Sequence, residues 1–184
     1  MIEGVAIQIV SGRHLSPEDL DVINRVRREE FGSESVVKPE PGNEDWTKPY
    51  FLARRGPQEL LAFGRIHTVP VRFSGQIYEI LGTATLAAVV KGHRYGRLVS
   101  EAMTDYVRAT GKTSIGFNTP ALSSFYVKNG REIMEHGVVR FQAPESPKYP
   151  DDDVNYVQGA DGLIERMLLE ENKDQVVHLP RIHW

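Results

Sequence analysis

The segment from residue 89 to residue 103, V-V-K-G-H-R-Y-G-R-L-V-S-E-A-M, combines residue types that suit anion binding. A β-branched strand end passes through a short basic turn with a glycine into an amphipathic helical pattern. The first N–H groups of a helix have no partner within the helix, and the helix dipole favours negative charge there. The turn therefore predicts a pyrophosphate cradle flanked by Arg94 and Arg97. The alternative is an ordinary strand-to-helix connection.

Composition indicates one globular domain of ordinary size. The chain has 184 residues, 40% of them hydrophobic, and no cysteine, which excludes disulfide scaffolds and thiolate chemistry and fits a reducing cytoplasm. A formal net charge of −3 does not provide the positive field that nonspecific nucleic-acid binding needs. No apolar run reaches the roughly 18 residues of a membrane span, and the N-terminus lacks a signal-peptide layout. We expect a soluble, cytoplasmic protein without a nucleic-acid or membrane partner.

Hydrophobic periodicity, capping residues and turn residues predict the elements that would position this turn. Ser16 and Pro17 indicate a helix start, and Gly32 and Gly111 indicate helix ends. The resulting order β-α-β-β-β-α-β-α-β predicts an α+β or mixed α/β domain with an antiparallel meander and one crossover. The predicted helices cover residues 16–31, 96–110 and 120–130, and the predicted strands cover residues 5–10, 50–54, 60–73, 76–90, 113–118 and 138–142.

Two regions of the chain resemble the signatures of the GNAT superfamily of acyl-CoA-dependent N-acyltransferases. They are the strand, turn and helix of residues 89–103 and the segment S-S-F-Y-V-K-N-G of residues 123–130, which is similar to that family's F-Y-x-K-x-G pattern. The resemblance covers about residues 5–142. It implies a single GNAT-like domain over residues 1–184, with a central, mostly antiparallel sheet flanked by helices and a C-terminal extension from about residue 143.

The same resemblance implies that acetyl-CoA is the co-substrate and that the turn and the residues around it bind it. Acetyl transfer to an amine needs a donor that protonates the departing thiolate, and Tyr126 stands where GNAT enzymes of this type place that acid. The family's two turn glycines are Arg97 and Val99 here when Arg94 leads the motif; a register led by Lys91 is the alternative. The implied cofactor-binding residues are Val89, Arg94, Tyr95, Gly96, Arg97, Leu98, Val99, Asn118 and Tyr126.

The family's usual base is missing from the long strand before the turn. The position of its glutamate corresponds to Thr85. Glu79 lies six residues earlier, so strand alternation places it on the same face unless a bulge intervenes. His67 on the neighbouring strand is a second candidate base, since the unperturbed pKa of histidine is near ~6.5. A water relay is a third alternative.

Within the superfamily the chain looks most like the aminoglycoside 2'-N-acetyltransferases, through residues 44–46, 97–100 and 150–153 and the final tryptophan. That likeness implies a small cationic amine as the acceptor, and a solvated acidic turn is the alternative explanation of the acidic residues. Other small amines, polyamines, amino-acid derivatives and a protein N-terminus stay open, as does a homodimer, and no metal is expected. The implied acceptor-binding residues are Glu44, Asp45, Thr85, Asp152, Asp153 and Trp184.

Two functions follow from these patterns. The first is an acetyl-CoA-dependent N-acetyltransferase with Tyr126 as acid and Glu79 or water as base. The second is a binding module on the GNAT scaffold that holds an acyl-CoA or another ligand without turnover, which the missing carboxylate at Thr85 favours.

Overall fold

The computed structural model describes residues 2–32, 36–144 and 150–180. The chain forms two compact units, and β-strands and helices contribute to both, so the fold is of the mixed α/β type that the sequence predicts. The first unit is Met1–Ile66 with Ala84–Met103, and the second is His67–Thr83 with Thr104–Trp184.

The elements follow the predicted order through the first two thirds of the chain. They are β1 (Val5–Ser11), α1 (Pro17–Phe31), β2 (Pro49–Arg55), β3 (Glu59–Phe73), β4 (Gln76–Ala88), α2 (Tyr95–Thr110), β5 (Ser114–Asn118) and α3 (Ser123–Lys128). The elements after them are β6 (Glu132–Met134), β7 (Phe141–Gln142), β8 (Asp153–Val157), α4 (Leu163–Leu168) and β9 (Val177–His178).

Helix α1 begins and ends where its capping residues indicate. The Ser16 hydroxyl accepts a hydrogen bond from the Asp19 backbone N–H at 3.1 Å, and Pro17 occupies the first turn. Gly32, at φ 94°, follows the last turn. Ile23 and Val26 are buried in the core of the first unit, which confirms the helical spacing that predicted this helix.

Antiparallel pairing dominates the strands. β1 pairs with β2 from Val5 opposite Arg55 onwards, and β2 pairs with β3, with a register shift between Ala53 and Arg54. β3 and β4 are hydrogen-bonded neighbours joined by Ser74 and Gly75, which both have positive φ, as a two-residue hairpin turn requires. The predicted meander is therefore confirmed.

The predicted crossover is formed by β4, α2 and β5. β4 and β5 are parallel, with Leu81 opposite Ser114, and the connection between them contains α2. β8 pairs antiparallel with both β5 and β6, and β9 pairs with β3 and β7. Residues beyond about 143 thus supply β8 and α4, and most of their apolar side chains are buried in the core of the second unit, while Leu168 is exposed.

The predicted strand at residues 138–142 is mostly wrong. Residues Gly137–Arg140 form a 3-10 turn, and only Phe141–Gln142 are extended. The turn is held from outside, because the Arg140 guanidinium donates to the carbonyl oxygens of Met167, Asn172 and Gln175 at 2.9, 3.0 and 3.2 Å. The predicted helix from Pro120 likewise divides into a 3-10 turn, Pro120–Leu122, and α3.

Candidate functional site

The turn between β4 and α2 is fixed at its strand end by the first unit's own backbone. The N–H groups of Val89 and Val90 both donate to the carbonyl oxygen of Leu61, at 2.9 and 3.1 Å. Two residues of the turn then have positive φ, Gly92 at 83° and Arg94 at 63°. Arginine rarely adopts this left-handed conformation. The chain therefore reverses sharply just before the helix.

The carbonyl oxygen of Arg94 accepts the first hydrogen bonds of α2. Its donors are the N–H groups of Arg97 and Leu98, at 3.0 and 3.3 Å. The N–H groups of Tyr95 and Gly96 lie ahead of these bonds, in the first turn, where helix geometry provides no intrahelical acceptor. A Cβ added to Gly96 would meet only the Ala88 Cβ, at 4.0 Å, so the helix start is open on that side. This is the geometry of an anion site at a helix N-terminus.

Three cationic side chains surround the turn, and they differ in their partners. Lys91 pairs with Glu30 at 2.6 Å, and this hydrogen bond and charge raise the pKa of Lys91. Arg97 pairs with Glu101 at 2.7 Å along the helix. Arg94 is exposed and makes no ion pair within the described ranges. Among the described residues, Arg94 is therefore the cation of this turn that has no competing carboxylate and could pair with an anionic ligand.

The other residues around the turn that were predicted to bind the cofactor make contacts that hold the turn in place. The Tyr95 hydroxyl accepts from the Arg55 guanidinium at 2.6 Å, and its ring stacks on His93 at 5.6 Å. Val89 packs against the core of the first unit, Val99 is buried, and Leu98 is half-buried. Among these residues, the backbone N–H groups of the helix start and Arg94 are the groups that could bind an anion.

Thr85 has an unusual backbone and a bonded hydroxyl. Its φ is 54°, a conformation that is a clear outlier for a β-branched residue. The hydroxyl accepts a short hydrogen bond from the guanidinium of Arg27 on α1. Burial, and next the charge of Arg65, lowers the pKa of Arg27 to about 10. The position where the family usually has a carboxylate is thus occupied by a hydroxyl held against a buried cation.

Asp45 belongs to a buried ionic cluster in the first unit. Its carboxylate accepts from the Arg65 guanidinium at 2.6 Å and from the Lys48 ammonium at 3.4 Å. Arg65 also donates to the Tyr50 hydroxyl at 3.4 Å. Burial foremost raises the pKa of Tyr50. Asp45 is therefore engaged inside the protein, and the neighbouring Glu44 side chain and Trp184 lie outside the part of the structure that is described.

Tyr126 lies on α3 in the second unit. Its ring is partly buried and meets the Phe125 ring edge-on, with centroids 5.2 Å apart. Within the described part of the chain its hydroxyl makes no hydrogen bond. Burial raises the pKa of Tyr126, and the positive charge of Arg131 partly opposes that rise. The phenol therefore keeps its proton at neutral pH, which a proton donor requires.

Asn118 and its neighbours hold the beginning of α3 against β8. The Asn118 amide donates to the Ser123 hydroxyl at 2.9 Å and accepts from the Asn155 amide at 2.8 Å, while Ser123 donates to Asp153 in a short hydrogen bond. Asp153 also accepts from the backbone N–H of His136 at 2.8 Å. An open cavity of about 370 Å³ adjoins this network, lined by Pro120, Ser123, Ser124, Val127, Ile133, Glu135, His136 and Asp153.

The two candidate bases lie in different surroundings. Glu79 is exposed and forms a short ion pair with Lys112. His67 is 2% exposed within β3. The positive φ of Thr85 interrupts the regular strand, so the alternation that related Glu79 to Thr85 does not continue to that position.

Asp152, which was predicted to bind the acceptor, is 6% exposed, and its carbonyl oxygen accepts from the Val138 N–H at 3.3 Å.

Arg27 and Arg131 are among the residues of these networks that were not identified from the sequence. Both are buried arginines, at 8% and 4% exposure, and nothing in the local pattern separates them from surface arginines.

Within the described ranges, no cluster of three or more His, Cys, Asp or Glu side chains is arranged to hold a metal ion. None of the described helices combines the length and apolar character that crossing a membrane requires.

Comparison with solved structures identifies the fold. A GNAT family N-acetyltransferase (YhbS) from Escherichia coli, solved in complex with CoA, matches with a TM-score of 0.60 and 17% identity over 95% of this chain and 89% of that chain. An N-acetyltransferase structure from Lactobacillus plantarum matches with a TM-score of 0.54 and 13% identity, covering 85% and 99%. An acyl-CoA N-acyltransferase from Pseudomonas aeruginosa matches with a TM-score of 0.53 and 16% identity, covering 83% and 98%.

These likenesses show that the chain has the GNAT acyl-CoA N-acyltransferase fold, which confirms the predicted fold class. No protein-family model and no curated protein matches the sequence. Identities of 13–17% show the fold alone, and one fold hosts different functions.

Proposed function

We propose that this protein is an acetyl-CoA-dependent N-acetyltransferase that acts on a primary amine of a small molecule. The observation that carries the proposal is the turn before α2. There Arg94 has a left-handed backbone and an exposed guanidinium that makes no ion pair with the described residues, beside an open helix start. Those groups suit the pyrophosphate of coenzyme A. The CoA that the E. coli structure contains on the same fold supports this ligand.

In the proposed reaction, the amine nitrogen attacks the thioester carbonyl carbon and the carbon–sulfur bond breaks. Tyr126 supplies a proton to the departing thiolate. Because the pKa of Tyr126 is raised, its phenol is protonated at neutral pH and has this proton to give. Water from the solvent accepts the proton of the amine, because Glu79 is exposed and paired with Lys112 and Thr85 carries no carboxylate. An acceptor whose own pKa is low, and which is therefore partly unprotonated, suits such a site.

For the acceptor, the resemblance to aminoglycoside enzymes favours a cationic amine. The described carboxylates that were expected to hold it have internal partners, since Asp45 pairs with Arg65 and Asp153 bonds Ser123 and the His136 N–H. A screen for the acceptor therefore includes aminoglycosides and polyamines together with neutral and acidic amines. Release of free thiol from acetyl-CoA reports turnover for every one of them.

Calorimetric titration of acetyl-CoA into the purified protein tests the cofactor site. We expect saturable binding, and a loss of about tenfold in affinity for Arg94→Ala, the size of a charge-assisted hydrogen bond. Lys91→Ala is the matched control, because it removes one cation from the same turn but one that is paired with Glu30. No binding at millimolar acetyl-CoA, or equal losses in the two variants, would contradict the assignment of this turn.

A second function, a binding module without turnover, has one specific observation in its favour. The Thr85 hydroxyl is bonded to the buried Arg27, so this position holds a hydrogen-bond acceptor and a cation instead of a base. Saturable acetyl-CoA binding without thiol release for any amine, at pH values up to 9, would favour this module. Thiol release that depends on one amine would exclude it.

A further inference from the structure

The open cavity beside α3 has no part in the proposed reaction. Its volume is about 370 Å³, and residues of α3, β6 and β8 contribute to its lining. Ser124 and Val127 line it from α3, whereas its described lining does not include Tyr126 on the same helix. Successive side chains of a helix point about 100° apart, so Tyr126 leaves α3 in a different direction from both lining residues. The cavity is therefore distinct from the position of the proposed acid.

Asp153 brings a buried negative charge to this cavity. The residue is 3% exposed and is one of those that line the cavity. Its carboxylate oxygens accept hydrogen bonds from the Ser123 hydroxyl and from the His136 backbone N–H. Both donors are neutral, and among the described side chains no cation forms an ion pair with Asp153. Burying a carboxylate is costly unless a cation balances its charge, so a cation in the adjoining cavity would be stabilising.

The rest of the lining suits an organic cation. Glu135 supplies a second carboxylate and has no hydrogen-bond or ion-pair partner among the described residues. Val127, which is 55% exposed, and Ile133 add apolar surface to the same cavity. An alkyl chain can pack on such side chains while its ammonium group donates to a carboxylate. A metal ion needs several converging ligands, and the described residues contain no such cluster of His, Cys, Asp or Glu.

We infer that this cavity binds a small aliphatic amine in its ammonium form, with the ammonium group paired with Asp153 and the carbon chain against Val127 and Ile133. This ligand is not the amine that the proposed reaction acetylates. Its binding requires neither acetyl-CoA nor turnover. The inference therefore stands or fails separately from the proposed function.

Calorimetric titration of cadaverine, an aliphatic diamine, into the full-length protein without acetyl-CoA tests the site. We expect saturable binding, and a loss of about tenfold in affinity for Asp153→Asn, the size of one charge-assisted hydrogen bond. Glu135→Gln should weaken binding by about threefold, as a more exposed charge does. Glu132→Gln is the matched control, because Glu132 lies on the same strand side of the turn but bonds Tyr156 and is not among the described lining residues.

Pentanediol, which has a chain of the same length without a charge, separates an ammonium site from a general apolar groove. It should not bind at concentrations that saturate with cadaverine. In the wild type, the backbone amide resonance of His136 should shift on addition of cadaverine, because its hydrogen-bond acceptor is the carboxylate that gains a cation. No binding of cadaverine at millimolar concentration, or equal binding of the diol, would overturn the inference.

Val127→Lys tests the site without disturbing the hydrogen bonds of Asp153, which matters if Asp153→Asn loses the fold. It places an ammonium group of the chain itself at the cavity, so it should abolish the binding of cadaverine. Val139→Lys is the control, since it makes the same change at another exposed valine that is not among the described lining residues, and it should bind as the wild type does. Equal affinities in these two variants would place the amine elsewhere and contradict the assignment.

Discussion

Arg94 shows how one residue can be costly to the fold and useful to the site. Its left-handed backbone, at φ 63°, places its carbonyl oxygen under the first turn of α2 while its guanidinium stays exposed. Glycine adopts this conformation without the penalty that a Cβ incurs. A purely structural turn would therefore favour glycine here. Arginine at this position fits the proposed anion site, which would use its charge.

Substitutions at Arg94 separate the backbone cost from the charge. We expect Arg94→Gly to have a free energy of unfolding about 1 kcal/mol higher than Arg94→Ala, because only glycine relieves the left-handed strain. Both variants should lose acetyl-CoA affinity equally, since both lose the guanidinium. Urea denaturation measures the first effect and calorimetry the second.

The same pair of substitutions at Arg97 provides the control. Arg97 lies within α2 with ordinary helical hydrogen bonding, so Arg97→Ala should be the more stable variant, by up to about 1 kcal/mol. If alanine were also more stable than glycine at position 94, the backbone of Arg94 would not be strained.

At the scale of elements, a helix or strand could be predicted where the residues that determine it are neighbours in the sequence. Helix α1 is determined by its own cap, its proline and its apolar spacing, and its bounds were predicted correctly. Strand β8 was missed because it has only five residues, which are all buried although they do not form an apolar run. Two of them are polar, Asp153 and Asn155, and their hydrogen bonds go to Ser123 and Asn118, which are 30 and 37 residues away.

The same distinction applies to the candidate site. The turn between β4 and α2 was predicted because a strand end, a glycine and a helix start adjoin in the sequence, and its role as an anion site stays a prediction. The pairing of Arg27 with Thr85 spans 58 residues, and that of Arg131 with Ser114 spans 17. No local pattern carries such contacts, so the sequence indicated the missing carboxylate at Thr85 but not the cation that faces it.

Gly12 provides a prediction about how elements of the first unit meet. Its N–H donates to the Lys48 carbonyl oxygen at 3.0 Å, and a Cβ at this position would overlap the Asp45 carbonyl oxygen and lie 3.2 Å from the Tyr50 ring. Backbone cannot move aside as a flexible side chain can. Gly12→Ala should therefore lower the free energy of unfolding by about 1–3 kcal/mol.

Gly96→Ala is the comparison for this loss, because its added Cβ has open space around it and alanine favours helix. It should unfold at the same urea concentration as the wild type or a higher one. If Gly12→Ala matches it, then the segment around Asp45 adapts, and the glycine is not required for the close approach.

At the scale of the whole molecule, three tyrosines with raised pKa values contribute to how stability responds to alkaline pH. Burial is the first cause of a raised pKa at Tyr50 in the first unit and at Tyr126 and Tyr156 in the second. In the unfolded chain each tyrosine ionises near pH ~10. Between that value and the higher folded pKa, the unfolded state has released a proton that the native state retains. Stability contributed by each tyrosine is therefore complete below pH ~10 and falls as the pH rises through the folded pKa.

Differences between variants isolate this effect from the arginines, because Arg27 and Arg131, whose pKa values burial lowers, act in the opposite direction. Tyr50→Phe, Tyr126→Phe and Tyr156→Phe each keep both arginines. We expect the stability of the wild type, measured relative to each variant by urea denaturation, to be constant from pH 7 to 9. Above pH ~10 it should decline, by at most about 1.4 kcal/mol per pH unit for one proton. A relative stability that stays flat through pH 11 would mean that the tyrosine ionises natively at its ordinary pKa and that its burial does not disfavour the phenolate.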